Sequence, residues 1–220
     1  PDVYEVAISN LSIRIVADVI NKVDGAVCDR CFAPWVDLGA ILKNEGVLLE
    51  SLDLKMPLKD FDMLGFSLQY EMSYTTILYM LDLAGIPLKR EDRGEEYPII
   101  QAGGPCAVNP EPLADFIDLF VIGDGAESMQ ELAKLKMQCS SKQEFLQKAT
   151  QIQGVYVPAL VDVNYKENGQ IESFSIKEPI KKALVKNLDT AEFPSVQAVP
   201  NCESVFDRAV VEVMRGCYRG

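Results

Sequence analysis

Histidine is absent from the chain. Without an imidazole, neither a Ser-His-Asp triad nor a Cys-His pair can be assembled from these residues. Histidine ligation of zinc, haem or non-haem iron is excluded as well. Positive charge is scarce: 21 Lys and Arg face 33 Asp and Glu, for a formal net charge of −12. That balance argues against a surface that coats nucleic acid. No apolar run approaches the ~20 residues of a membrane helix, and no basic segment precedes an apolar one as in a secretory signal. Pro1 is not a natural initiator, so a trimmed start is expected. With no export signal, the 6 scattered cysteines read as reduced thiols of a cytoplasmic protein.

What is present is ordinary globular composition, 48% hydrophobic and 25% charged over 220 residues, enough to bury a core unaided. Short apolar runs alternate with amphipathic segments through the first 140 residues. The runs Val3–Ile8, Val27–Phe32, Phe61–Leu68, Pro98–Ala102 and Ile117–Ile122 predict five strands. Between them, Asn10 caps a helix carrying Leu11, Ile15, Val16, Val19 and Ile20. A second helix follows Pro34, with Trp35, Leu38, Ile41 and Leu42 on one face and Gly46 as its stop. Further helices are expected from Ser73 to Gly85, from Ala126 to Met137, and after the capping box Ser141 to Glu144. Strand and helix in alternation predict an α/β fold: a flavodoxin-like, Rossmann-like doubly wound sheet of five parallel strands. Beyond residue 150, two alternating runs flank Asn168-Gly169, the signature of a small β-hairpin. A polar connector from Lys181 to Pro200 then leads to a fresh strand, Ala209 to Met214. The expected divisions are 1–140, 141–206 and 207–220.

In doubly wound folds ligands bind outside the carboxyl ends of the strands. The candidate cofactor-binding residues are therefore Ser9 and Asn10, Ser67, Leu68 and Gln69, Gly103, Gly104 and Pro105, and Gly123 and Gly125. Two glycines ending a strand let backbone approach something closely, either a ligand or the next element. Gly123-Asp124-Gly125 lacks the third glycine of a dinucleotide fingerprint, its place taken by Ser128. A phosphorylated receiver domain would need Asp after the third strand and Lys after the fifth, where Ser67 and Asp124 stand. Ser9-Asn10-Leu11-Ser12 is a faint version of the hydroxyl-rich phosphate loop of an FMN protein. Cys28-Asp29-Arg30-Cys31 has CxxC spacing, but with no second pair, and in a strand the two side chains would point to opposite faces. Ordinary thiols are the simpler reading. Arg215-Gly216-Cys217, closing a strand, is the sharpest motif: it resembles the strand end of radical S-adenosylmethionine enzymes, where Arg-Gly-Cys opens a CxxxCxxC loop whose three thiolates hold a [4Fe–4S] cluster.

On these residues the chain resembles the N-terminal part of a bacterial family of cobalamin-binding-domain radical S-adenosylmethionine (radical SAM) proteins, the Fe-S oxidoreductases. The resemblance spans nearly the whole chain. It is carried by Pro1 to Val6, Phe32 to Trp35, Asp60 to Glu71, Leu83 to Leu88, Gly103 to Pro112, Val121 to Glu127 and Asp207 to Cys217. It implies a cobalamin-binding-like Rossmann domain, a connector, and the first strand of a radical SAM barrel, with Cys217 as the first metal ligand. It implies a [4Fe–4S] cluster and S-adenosylmethionine in the intact enzyme, a downstream radical SAM domain as partner, and no activity in these 220 residues alone. The Gly103-Gly104 and Ser67-Leu68 loops would face a corrin. The departure is the Asp-x-His-x-x-Gly loop of cobalamin domains, replaced here by Ser9-Asn10-Leu11-Ser12-Ile13-Arg14. Cobalamin held without a histidine ligand, and a scaffold or partner-binding domain that has lost the cofactor, both remain open. An FMN domain is a third reading.

Overall fold

A computed structural model of the chain describes residues 1–176, 179–194, 199–206 and 208–216. The chain opens with a single helical turn, α1 (Tyr4–Ala7), and then α2 (Leu11–Asn21) and α3 (Val36–Glu45). The alternating core follows: β1 (Met63–Ser67), α4 (Ser73–Leu83), β2 (Ile99–Gly103), β3 (Leu119–Val121), α5 (Gly125–Gln138), α6 (Lys142–Ala149) and β4 (Val155–Tyr156). A hairpin of β5 (Val163–Tyr165) and β6 (Ile171–Phe174) comes after it. The sheet has four strands in the order β1-β2-β3-β4. The first three are parallel, and β4 lies antiparallel on β3.

The three parallel strands and the hairpin are where the sequence places them. The five-stranded flavodoxin-like sheet is corrected to four strands, because the runs at 3–8 and 27–32 form no ladder. In the first run, Val3 accepts hydrogen bonds from Val6 and Ala7 and closes a helical turn. In the second, the Asp29 carboxylate takes the N–H groups of Arg30, Asp53 and Leu54, and that side-chain competition ends any regular pairing. The CxxC pair thus sits in irregular chain. Cys28 and Cys31 are free thiols, pushed up by burial to about 11 and about 12. The expected strand at 209–214 forms no ladder with any described residue, and a strand is stable only beside a partner.

Alternation along the central strands sorts the core into two layers. Ile100, Ala102 and Phe120 pack with Ile77, Met80 and Leu81 of α4. Ile99, Leu119 and Val121 pack with Met129 and Leu132 of α5 and Phe145 of α6. Both faces of β2 and β3 are covered, which explains their uninterrupted apolar runs. α2 lies on α5, with Ile15 and Val19 against Ala126. Most of the apolar face expected on α3 is turned outward: Trp35, Leu38 and Ile41 are exposed, while Leu42 packs on the core and Gly39 is buried under the Tyr79 side chain.

One buried ion pair ties the loop before β2 to β3. Arg93, its side chain fully buried, lies 3.2 Å from Asp118 and also donates to the carbonyls of Pro87, Leu88 and Phe116. The other Asp118 oxygen accepts the Ile100 N–H at 2.7 Å, at the head of the β2–β3 register. Arg93→Ala strands a buried carboxylate and three carbonyls. It lowers unfolding free energy by about 3–5 kcal/mol, read as a lower urea midpoint at unchanged slope.

The capping box forms, with a shift. Ser141 Oγ accepts the Glu144 N–H, while the Glu144 carboxylate reaches the N–H and hydroxyl of Ser140. Lys148 first, and then those Ser140 donors, hold Glu144 down at about 2 from its ordinary 4.5. A depressed carboxylate contributes stability above its unfolded value and loses it as pH falls toward its folded one. The start of α6 therefore frays between pH 4.5 and about 2, a transition seen in the amide resonances of Ser140 and Glu144 and abolished by Glu144→Gln.

Candidate functional site

The candidate residues converge on one edge, the carboxyl end of the parallel strands. Ser67 ends β1 and Gly103 ends β2 as register partners, and Gly103 pairs onward with Val121 of β3. Ser9 and Asn10 approach the same edge because α2 runs alongside α5. Ile15 and Val19 meet Ala126 near the start of α5, while Gly25 meets Met137 near its end. Asn10 caps α2 as expected, its side-chain Oδ1 accepting the Ser12 N–H at 2.9 Å and the Ser12 hydroxyl at 2.6 Å.

At several of these positions the chain meets its own backbone. Leu68 is fully buried, donates its N–H to Gly103 O at 2.6 Å and accepts from Cys106 N at 3.0 Å. Gly104 has φ +107, and a Cβ there would lie 2.9 Å from Leu68 O. The two loops are locked together, with Pro105 opening a 3₁₀ turn over them. Gln69 turns its amide to the Ser67 hydroxyl at 2.6 Å. Ser9 Oγ donates to Phe206 O at 2.9 Å and accepts Phe206 N–H at 3.1 Å. Beside it, Glu5 O accepts Val205 N–H and the Tyr4 hydroxyl accepts Asn201 N–H. Tyr70, from the loop after β1, donates its hydroxyl to Asp2.

The closest approach is at the end of β3. Gly123 has φ +106, and a Cβ on it would fall 2.1 Å from Ala183 O. The connector runs parallel past this point: Ala183 N–H donates to Ile122 O and Ala183 O accepts Asp124 N–H, both at 2.8 Å. Asp124 stands at the cap position of α5, yet its side chain does not cap the helix that starts at Gly125. One oxygen accepts Val185 N–H at 2.7 Å, and the other lies 3.8 Å from Arg215. Arg215 is also held by Glu212 through two bonds of 2.7 and 2.9 Å, which raise its pKa further.

The sequence thus identifies the edge but not what covers it. Ala183, Val185, Phe206 and Asp124 carry no motif, and the one hint was an Asp between two glycines after a buried strand. Cys217, the expected metal ligand, lies outside the described residues. Among the described residues no group of three or more Cys, Asp or Glu could hold a metal ion, and no helix is long and apolar enough to cross a membrane.

The cradles at Gly104 and Gly123 are filled by main chain, and this generates a test. Gly46 at the end of α3 has φ +66 with open space around it, so Gly46→Ala carries only the left-handed backbone cost, about 1–2 kcal/mol. Gly123→Ala adds displacement of the connector. It should lower the urea midpoint further and speed tryptic cleavage at Lys182 and Lys186. Equal cost at the two glycines, with no change in cleavage, contradicts a seated connector.

A family model described as radical SAM proteins, N-terminal, matches residues 12–158. No curated protein and no solved structure matches the chain.

Proposed function

This chain belongs to the family of radical SAM proteins by their N-terminal region, and on that premise we propose that it is a docking scaffold within a radical SAM iron–sulfur enzyme of the cytoplasm. Its sheet edge seats the connector that leads into Arg215-Gly216-Cys217. The observation that carries this reading is the main-chain seat of Ala183 on Gly123. Binding energy that a cofactor would draw from that edge is used within the chain.

Cobalamin does not fit the residues present. The chain has no histidine to ligate cobalt. The glycines that would let a corrin or its nucleotide tail approach are closed by Leu68 and Ala183. FMN meets the same obstacle, since the Ser9 hydroxyl that would face its phosphate is engaged with Phe206 in both directions. In the intact enzyme a [4Fe–4S] cluster supplies, when bound, the electron that cleaves S-adenosylmethionine. These residues supply position: Asp124 and Gly123 hold the connector, Ser9 and Glu5 hold residues 205 and 206, and Asp124 engages Arg215. Cys217 would offer one of the thiolates that hold such a cluster.

Two measurements test this function. Hydroxocobalamin or FMN added to high micromolar concentration should leave the cofactor's visible spectrum unchanged. Hydrogen exchange should show the Ala183 and Val185 amides protected as strongly as those of β3. A saturable spectral shift together with fast exchange at residues 183 and 185 restores the cofactor-binding alternative.

A further inference from the structure

We propose that Asp124 is a positioning residue, an electrostatic latch through which the end of β3 holds the arm that carries Arg215 toward Gly216 and Cys217. The proposal rests on the docking-scaffold reading and names the group within it that controls the arm.

Three observations converge on Asp124. First, its carboxylate is withheld from the helix it precedes, where an Asp side chain ordinarily accepts an N–H of the first turn. Second, that carboxylate bridges two segments remote in sequence, Val185 in the connector and Arg215 in the arm. Third, residues 208–216 make no backbone hydrogen bond to any described part of the chain, and their exposed Val211 and Val213 bury little. Among the described residues, the arm meets the domain through the Arg215–Asp124 pair, both side chains about four-fifths covered, with Glu127 of α5 adding a weaker attraction to the same guanidinium. Glu212 grips Arg215 from within the arm, fixing the guanidinium that Asp124 receives. The two functions of the carboxylate are separable. An amide oxygen at position 124 still accepts the Val185 N–H, but it has no charge for Arg215.

Trypsin reads the latch directly, because Arg215 is itself a cleavage site and Arg208 in the same arm is an internal reference. The initial cleavage rate after Arg215, divided by that after Arg208, is followed by mass spectrometry on the 220-residue chain. A partly exposed ion pair at 3.8 Å is worth a roughly two- to fivefold change. Asp124→Asn should raise the ratio by that factor, and Asp124→Glu should restore it. Raising salt to ~1 M should raise the ratio for the native chain more than for Asp124→Asn, in which Glu127 still faces Arg215. Exchange of the Ala183 and Val185 amides, measured on the same samples, reports the underlying scaffold. Protected amides with a ratio indifferent to Asp124→Asn and to salt overturn the latch alone. Rapid exchange at those amides in the native chain overturns the scaffold with it.

Discussion

The arrangement of this domain depends on one close approach of main chain to main chain. At the end of β3 the backbone takes a conformation open to glycine, and the connector passes where a side chain would otherwise stand. Two hydrogen bonds of 2.8 Å fasten Ala183 across that point. Everything on the carboxyl edge follows from the space so created. Asp124 is freed from capping and turned to Val185 and Arg215. The chain then continues to residues 201–206, which lie against α1 and Ser9. An edge that in many parallel sheets receives a ligand is here closed by the polypeptide itself.

That edge is rigid because of what lies beneath it. The two-sided burial of β2 and β3 sets the strands in register, and the Arg93–Asp118 pair joins the head of that register to the loop before β2. A buried pair of this kind is poor evidence of net stability, but it strongly disfavours any arrangement in which its partners separate. The Tyr156 hydroxyl on Glu111 adds a further tie from β4 to the loop after β2; burial and that carboxylate both push the phenol's pKa up. The scaffold role requires such stiffness, since a platform can orient an arm only if it does not itself yield.

Much of the core was legible in the residues. Pro98–Ala102 and Ile117–Ile122 have the apolar character of strands buried on both faces, Phe61–Leu68 alternates buried with more exposed positions, and each run contains a strand. Asn10, Ser141 and Gly46 mark helix ends through local chemistry, which needs no tertiary information. The failures have a common cause. Val3–Ile8 and Val27–Phe32 have strand-like composition but no neighbour to pair with, and Asp29 draws backbone N–H groups to its own side chain. Trp35, Leu38 and Ile41 have helical spacing, yet α3 is placed by Leu42 and by Gly39, whose lack of a side chain admits Tyr79. Periodicity reports which residues could share a face; it does not report whether anything lies opposite.

By itself, then, the chain's sequence determined the class of fold, the edge on which its candidate residues gather, the exclusion of histidine chemistry and the radical SAM kinship, because each rests on local residue chemistry or on motifs. The occupant of that edge was decided only in three dimensions. Glycine permits close approach without specifying what approaches, and Ala183 stands 60 residues from Gly123 with no signature of its own. A contact between two backbones leaves almost no trace in side chains, so its meaning emerges only when the chain has folded back onto itself.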